Sequence, residues 1–121
     1  MAKILIVDDE ESYRRYLSAR LARDGHPVET AATEADGITV GVAFGPDLLI
    51  VDWQLENGDS GVRVADALHQ RNPELQTILI TGFSAESVLQ EIEGPPVFRC
   101  IEKPFDIDDL VNAVGEALTQ A

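Results

Sequence analysis

Five short strand-like runs punctuate the chain: Lys3–Val7, Pro27–Ala31, Asp47–Val51, Gln76–Ile80 and Val97–Ile101. The first, third and fourth are nearly unbroken in Ile, Leu and Val instead of alternating with polar residues, the pattern of strands buried on both faces. Helical stretches separate them, each with start or stop signals. The first, about Glu10 to Ala22, closes on Asp24-Gly25. Thr33-Glu-Ala-Asp36 has the form of a capping box, and the helix it opens stops at Gly45-Pro46. A polar loop, Glu56 to Gly61, leads into a third helix, about Val62 to Arg71, stopped by Asn72-Pro73. Ser84 caps a short fourth helix ended by Gly94-Pro95-Pro96, and Asp106 caps a fifth over about Ile107 to Leu118. Strand and helix alternate five times with no repeat, linker or low-complexity stretch. This predicts an α/β fold, a doubly wound (βα)5 parallel sheet between two layers of helices.

Composition narrows the setting. A chain of 121 residues suits one domain with one core, and the reading is a single unit over 1–121. No apolar run approaches the roughly 20 residues that span a bilayer, and the acidic start is no signal peptide. One cysteine allows no internal disulfide, which points to a reducing cytoplasm. The net charge of -13 changes more. With no basic stripe to offset it, direct binding to a phosphate backbone is disfavoured, while a bound cation or a basic protein surface is favoured.

The candidate chemistry sits where the strand-like runs end. Asp8 and Asp9 follow the first, Asp52 the third, Thr81 the fourth, and Lys103 lies just past the fifth. In an open parallel sheet the carboxyl ends of the strands gather in one crevice. Three carboxylates, a hydroxyl and an amine from the length of the chain would therefore meet, a set suited to a divalent cation beside an anionic group.

These motifs, "ILIVDDE", "LLIVDWQL", "ILITGF" and "IEKPFD", together resemble the receiver domain of two-component response regulators, including the bacterial chemotaxis response regulator. The resemblance covers essentially the whole chain and implies a flavodoxin-like sandwich. It implies magnesium held directly by Asp9, through water by Asp8, and by Asp52 and the Gln54 backbone carbonyl. Magnesium takes about six oxygens, typically one or two carboxylates with waters and phosphate oxygens. It further implies that Asp52 is the phosphoacceptor, that Lys103 pairs with a phosphoryl oxygen, and that Thr81 is the switch hydroxyl, with room beside it at Gly82. In the family the Lys-Pro bond is cis, so the same is expected between Lys103 and Pro104. The implied donor is a histidine kinase or histidine phosphotransfer protein, and the implied output a change in protein contacts with a downstream target or adjoining domain. Such a domain is not an enzyme beyond catalysing its own phosphorylation and dephosphorylation.

Several positions depart from the family pattern. Cys100 stands where a rotating Tyr or Phe is usual, and reads as a small core residue. Phe98, two residues earlier, is expected on the same face by strand periodicity. The loop after Asp52 carries Glu56 in place of the common proline and puts Gly61 nine residues on. Gln54 and Phe83 flank the path of hydrolytic water in relatives. His26 and His69 are expected to be solvated, and Trp53 to pack beside the pocket. Tyr13, Arg14, Leu17 and Arg20 lie on the first helix, which in the family helps dock the histidine-bearing partner; a solvated helix face is the alternative.

Two other classes remain. A phosphorylation-independent pseudo-receiver would keep the fold without the switch, and Cys100 is its support. A haloacid-dehalogenase-type phosphohydrolase also forms an aspartyl phosphate, but wants Asp-x-Asp after the first strand, where this chain has Asp8-Asp9. A nucleotide-binding Gly-x-Gly-x-x-Gly loop follows no strand. No output domain follows Leu118, so the chain either acts by protein contact or phosphate relay or is a piece of a longer protein.

Overall fold

Alternation along three central strands divides the core into two layers. A computed structural model describes residues 2–92 and 96–119. Its strands are β1 (Ile4–Val7), β2 (Val28–Ala31), β3 (Leu48–Asp52), β4 (Gln76–Thr81) and β5 (Arg99–Glu102). Its helices are α1 (Glu11–Arg23), α2 (Glu34–Phe44), α3 (Gly61–Arg71), α4 (Ala85–Glu91) and α5 (Ile107–Leu118), with a short 3-10 turn at Glu56–Gly58. The strands form one parallel sheet in the order β2-β1-β3-β4-β5. The expected doubly wound (βα)5 sandwich is what the chain forms.

Side chains of successive strand residues point to opposite faces. Ile4, Ile6, Leu48, Ile50, Ile78 and Ile80 accordingly pack with Leu17 and Leu21 of α1 and Leu110, Ala113, Val114 and Ala117 of α5. Leu5, Val7, Leu49, Val51 and Leu79 face the other way, onto Val64, Ala65 and Leu68 of α3 and Val88 of α4. Burying one such Leu or Ile contributes about 1.5–3 kcal/mol, so both layers hold the three central strands firmly. β1 pairs with β2 on one side and β3 on the other, and this change of winding direction opens the crevice at the strand ends.

Boundaries shift in ways that matter near that crevice. β3 and β4 each run one residue further than the strand-like runs, so Asp52 and Thr81 are strand residues held in the ladder. β5 begins at Arg99, two residues later than expected. Phe98 thus precedes the strand, and the strand's alternation does not extend to it. It packs against the layer of α1 and α5, whereas Cys100 packs against the opposite layer, so the two do not share a face. α4 ends at Glu91, before Gly94-Pro95-Pro96; of that stop signal, Gly94 and Pro95 lie outside the described residues. The expected caps form at Thr33, Ser84 and Asp106, whose side chains accept from Asp36, Ser87 and Asp108 amides. Ser60, unassigned from sequence, caps α3 by accepting from the amides of Val62 and Arg63. His26 and His69 are half-buried instead of solvated, each with one buried ring nitrogen lacking a hydrogen-bond partner. No helix among the described residues is long and apolar enough to cross a membrane.

Candidate functional site

The strand ends bring Asp9, Asp52, Gln54, Thr81, Gly82 and Lys103 to the lining of one cleft of about 230 Å³, with Asp8 buried beside Asp9 and Asp52. Carboxylate oxygens of Asp8, Asp9 and Asp52 lie within 4.8 Å of one another. Lys103 Nζ donates to Asp52 Oδ2 at 2.8 Å and lies 3.4 Å from Asp8 Oδ2 and 3.3 Å from Glu10 Oε1. The Lys103–Pro104 peptide is cis, as the resemblance implied.

Each group is oriented by its own turn. Asp8 Oδ1 accepts the Glu10 amide at 2.9 Å, and Asp52 Oδ1 accepts the Gln54 amide at 3.2 Å. One oxygen of each carboxylate is thereby used locally, and the other turns toward Lys103. Thr81 is buried and its hydroxyl accepts the Phe83 amide at 2.9 Å. The Lys103 amide donates to the Thr81 carbonyl at 2.7 Å, linking the hydroxyl and amine through the backbone. Trp53 and Phe83 meet edge to face at 5.7 Å on the rim of the cleft.

The electrostatics are unbalanced. Three carboxylates face one ammonium, and Asp8 is almost wholly buried. Burial, aided by the charge of Asp52, pushes the Asp8 carboxyl up to about 6, against the opposing Glu10 amide and Lys103. Burial works against the charge of Lys103 as well, but its hydrogen bond to Asp52 and the charges of Asp8 and Asp52 outweigh it and raise it above the ordinary lysine range. Asp8 Oδ2 is buried and faces Lys103 Nζ at 3.4 Å without making a well-aligned hydrogen bond. A buried, under-satisfied carboxylate oxygen among convergent acidic oxygens is the donor set of a hard divalent cation. The residues fit magnesium.

Three residues contribute more than their spacing suggested. The Tyr13 ring lies 4.3 Å from Lys103 Nζ and stacks on Phe105 at 5.8 Å. Arg14 donates to the Asp8 carbonyl at 2.7 Å. Glu10 adds a third carboxylate at the amine, beside Asp52 and Asp8. The first two were read only as docking contacts or a solvated face, and helix periodicity from Glu10 is the one signal that could have turned them toward the site. Leu17 is fully buried in the core, so it is no docking contact, and Arg20 pairs with Asp24 and Asp108. Cys100 is half-buried against the α3 and α4 layer, and burial raises its thiol, as befits a packing residue.

The response regulator receiver domain family matches residues 4–115. The chain belongs to that family. It is 30% identical over 118 residues to the photosynthetic apparatus regulatory protein RegA of Rhodobacter capsulatus, covering 95% of this chain and 64% of that protein. It is 28% identical to the response regulator receiver protein CpdR of Brucella abortus over the full length of both. A CheY-like receiver domain from Methanospirillum hungatei superposes with a TM-score of 0.87 at 25% identity, covering 99% of this chain and 95% of that one. The chain thus spans less than two thirds of RegA and the full length of CpdR. As a receiver domain it is a signalling module of two-component systems, a family whose members generally bind magnesium at an acidic pocket.

Proposed function

We propose that this receiver domain accepts a phosphoryl group on Asp52 in a magnesium-dependent reaction, from a histidine kinase or histidine phosphotransfer protein in the cytoplasm, and thereby switches its protein contacts. The observation that carries this reading is Lys103 Nζ, 2.8 Å from Asp52 Oδ2 within a cluster of three convergent carboxylates. An unaided carboxylate is a weak nucleophile and is repelled by a phosphoryl dianion. A fixed ammonium and a metal at the same spot offset that repulsion where charge develops.

Asp8, Asp9, Asp52 and the Gln54 carbonyl would hold the magnesium, which would draw charge from the phosphoryl oxygens. An oxygen of Asp52 forms the new O–P bond as the P–N bond of a phosphohistidine breaks, its electron pair leaving with the imidazole nitrogen. Lys103 shifts its hydrogen bond from Asp52 to a phosphoryl oxygen. The Thr81 hydroxyl, now an acceptor for Phe83, turns to donate to another, drawing the β4–α4 loop with it. Water attack at phosphorus then releases phosphate and restores the carboxylate, so the signal resets. Output follows as a shift between two loop arrangements that the phosphoryl group stabilises unequally.

Incubation with phosphoramidate and magnesium, followed by intact-mass measurement, tests the reading. The expected result is a gain of one phosphoryl group that requires magnesium and disappears in Asp52→Ala. A gain that survives in Asp52→Ala overturns it. No gain in the unmodified chain would instead favour a phosphorylation-independent module.

A further inference from the structure

The loop from Trp53 to Gly61 is closed on itself and then gripped from outside. Its two ends meet: the Gly61 amide donates to the Trp53 carbonyl at 3.0 Å, and Gln54 and Ser60 form an antiparallel bridge. The Leu55 amide donates to the Asp59 carbonyl at 3.1 Å, and the Leu55 side chain is buried in the core. Gly61 sits so close to Asp52 that a methyl group there would collide with the Asp52 carbonyl oxygen. Any movement of this loop is therefore felt at once by the backbone on both sides of Asp52.

The grip comes from Glu34 and Arg63. Glu34, the first residue of α2, accepts the Ser60 amide on Oε1 at 2.9 Å, and its own amide donates to Asp59 Oδ2 at 3.1 Å. Arg63 Nε donates to both Glu34 oxygens at 2.9 and 3.0 Å, while its Nη2 donates to the Gly58 carbonyl at 2.9 Å. Glu34 is thus spanned by an amide and a planar guanidinium, an arrangement that fixes orientation as well as distance. The hydrogen bond from Arg63, with that from Ser60, holds the Glu34 carboxyl below the usual range.

We infer that Glu34 and Arg63 are positioning residues for the metal site, clamping the Gln54–Ser60 loop so that the Gln54 backbone carbonyl is presented to magnesium. The inference rests on the reading of Gln54 as a magnesium ligand made above. Backbone carbonyls have no side-chain rotamer with which to adjust, so their placement depends on what holds the loop. Outer groups that orient metal ligands commonly change affinity by about 10–100-fold when removed.

Trp53, the single tryptophan, lines the cleft beside Asp52, so a magnesium titration followed by its fluorescence is the test. Glu34→Ala and Arg63→Met are each expected to raise the magnesium Kd by about tenfold, the low end of that range. Their combination is expected to do little more, because both remove one clamp. Glu34→Gln, which keeps an oxygen for Ser60 but loses the charge, should fall between. Arg99→Met, which breaks a comparably exposed pair with Glu116 on β5 and α5, should leave the Kd unchanged. Amide exchange in magnesium-free protein gives a readout independent of the ion: Leu55 and Ser60 should exchange faster in Glu34→Ala, with the β3 amides unaffected. The magnesium dependence of phosphoryl uptake should shift to higher concentration in parallel. An unchanged Kd in both clamp variants, or a loss of uptake that excess magnesium does not recover, overturns the clamp. If the unmodified chain shows neither a magnesium response nor uptake, the site reading fails and the clamp with it, an outcome distinct from clamp variants failing alone.

Discussion

Two ionic clusters flank the β3–α3 loop, and they are built on opposite principles. Around Arg63 and Glu34, on the surface, one cation meets one carboxylate, and the Ser60 amide and Arg63 Nε and Nη2 each find an acceptor. Around Lys103, in the cleft, one cation serves Asp8, Asp52 and Glu10, and its contact with the buried Asp8 Oδ2 at 3.4 Å is not a well-formed hydrogen bond. Exposed pairs are screened by water and contribute little to stability; their use is geometric. Buried charges are another matter, because desolvation makes each mismatch costly unless a further ion completes the set. The satisfied cluster shapes the loop, and the unsatisfied one is the set of oxygens proposed above to hold magnesium.

The largest test of that contrast removes the one cation of the cleft. Lys103→Met leaves Asp8 and Asp52 facing each other unpaired, and should destabilise the metal-free protein by about 3–4 kcal/mol at pH 7 in a urea titration. Magnesium should restore much of it. If the loss is no larger than for an exposed lysine, the cleft is better solvated than its burial implies.

Gly61→Ala attacks the joint between the two clusters. The added methyl meets main chain, which cannot rotate away, so a loss of about 3 kcal/mol is expected, at the upper end for overpacking. Weaker magnesium binding should accompany it, and stability retained at the unmodified level would show that the loop can shift away from Asp52.

The pH dependence separates the clusters next. Asp8 is raised to about 6 from an ordinary value of 3.8, so its neutral form is the one the fold favours. The associated stability is full below about pH 4 and is lost as pH rises through 6. From 3.8 to about 6 this amounts to roughly 2–3 kcal/mol. Asp8→Asn keeps an acceptor for the Glu10 amide and removes the ionisation, so it should stabilise the metal-free protein by about 2 kcal/mol at pH 7. Near pH 4 the difference should vanish. Lys103 is raised too, so its contribution persists through neutral pH and does not mask this window. Glu34 is shifted the other way, its carboxyl held lower by the hydrogen bonds from Arg63 and Ser60. A flat difference between pH 4 and 7 would place the Asp8 proton elsewhere.

How much of this was legible depends on how locally each feature is encoded. Asp8, Asp9, Asp52, Thr81 and Lys103 could be read because each ends or follows a strand whose burial is written in consecutive Ile, Leu and Val. A parallel sheet then brings such ends together whatever lies between. Phe98 and Cys100 were misplaced onto one face because periodicity was carried past the true start of β5, where a bend precedes the strand. Arg14 read as surface because helix position alone does not say that a guanidinium curls back to the Asp8 carbonyl. The Glu34–Arg63 clamp left no trace in spacing, being 29 residues apart on separate helices.

By itself, then, the sequence determined the order of elements, the parallel sheet and the cast of the cleft, since these follow from backbone periodicity and from which residues bury favourably. Tertiary structure alone decided which charges share a partner. The distance from Lys103 to each carboxylate, the under-satisfied oxygen of Asp8 and the grip of Glu34 on Ser60 depend on how elements distant in sequence pack to within an ångström. Electrostatic and hydrogen-bond energies vary steeply on that scale, while hydrophobic burial does not.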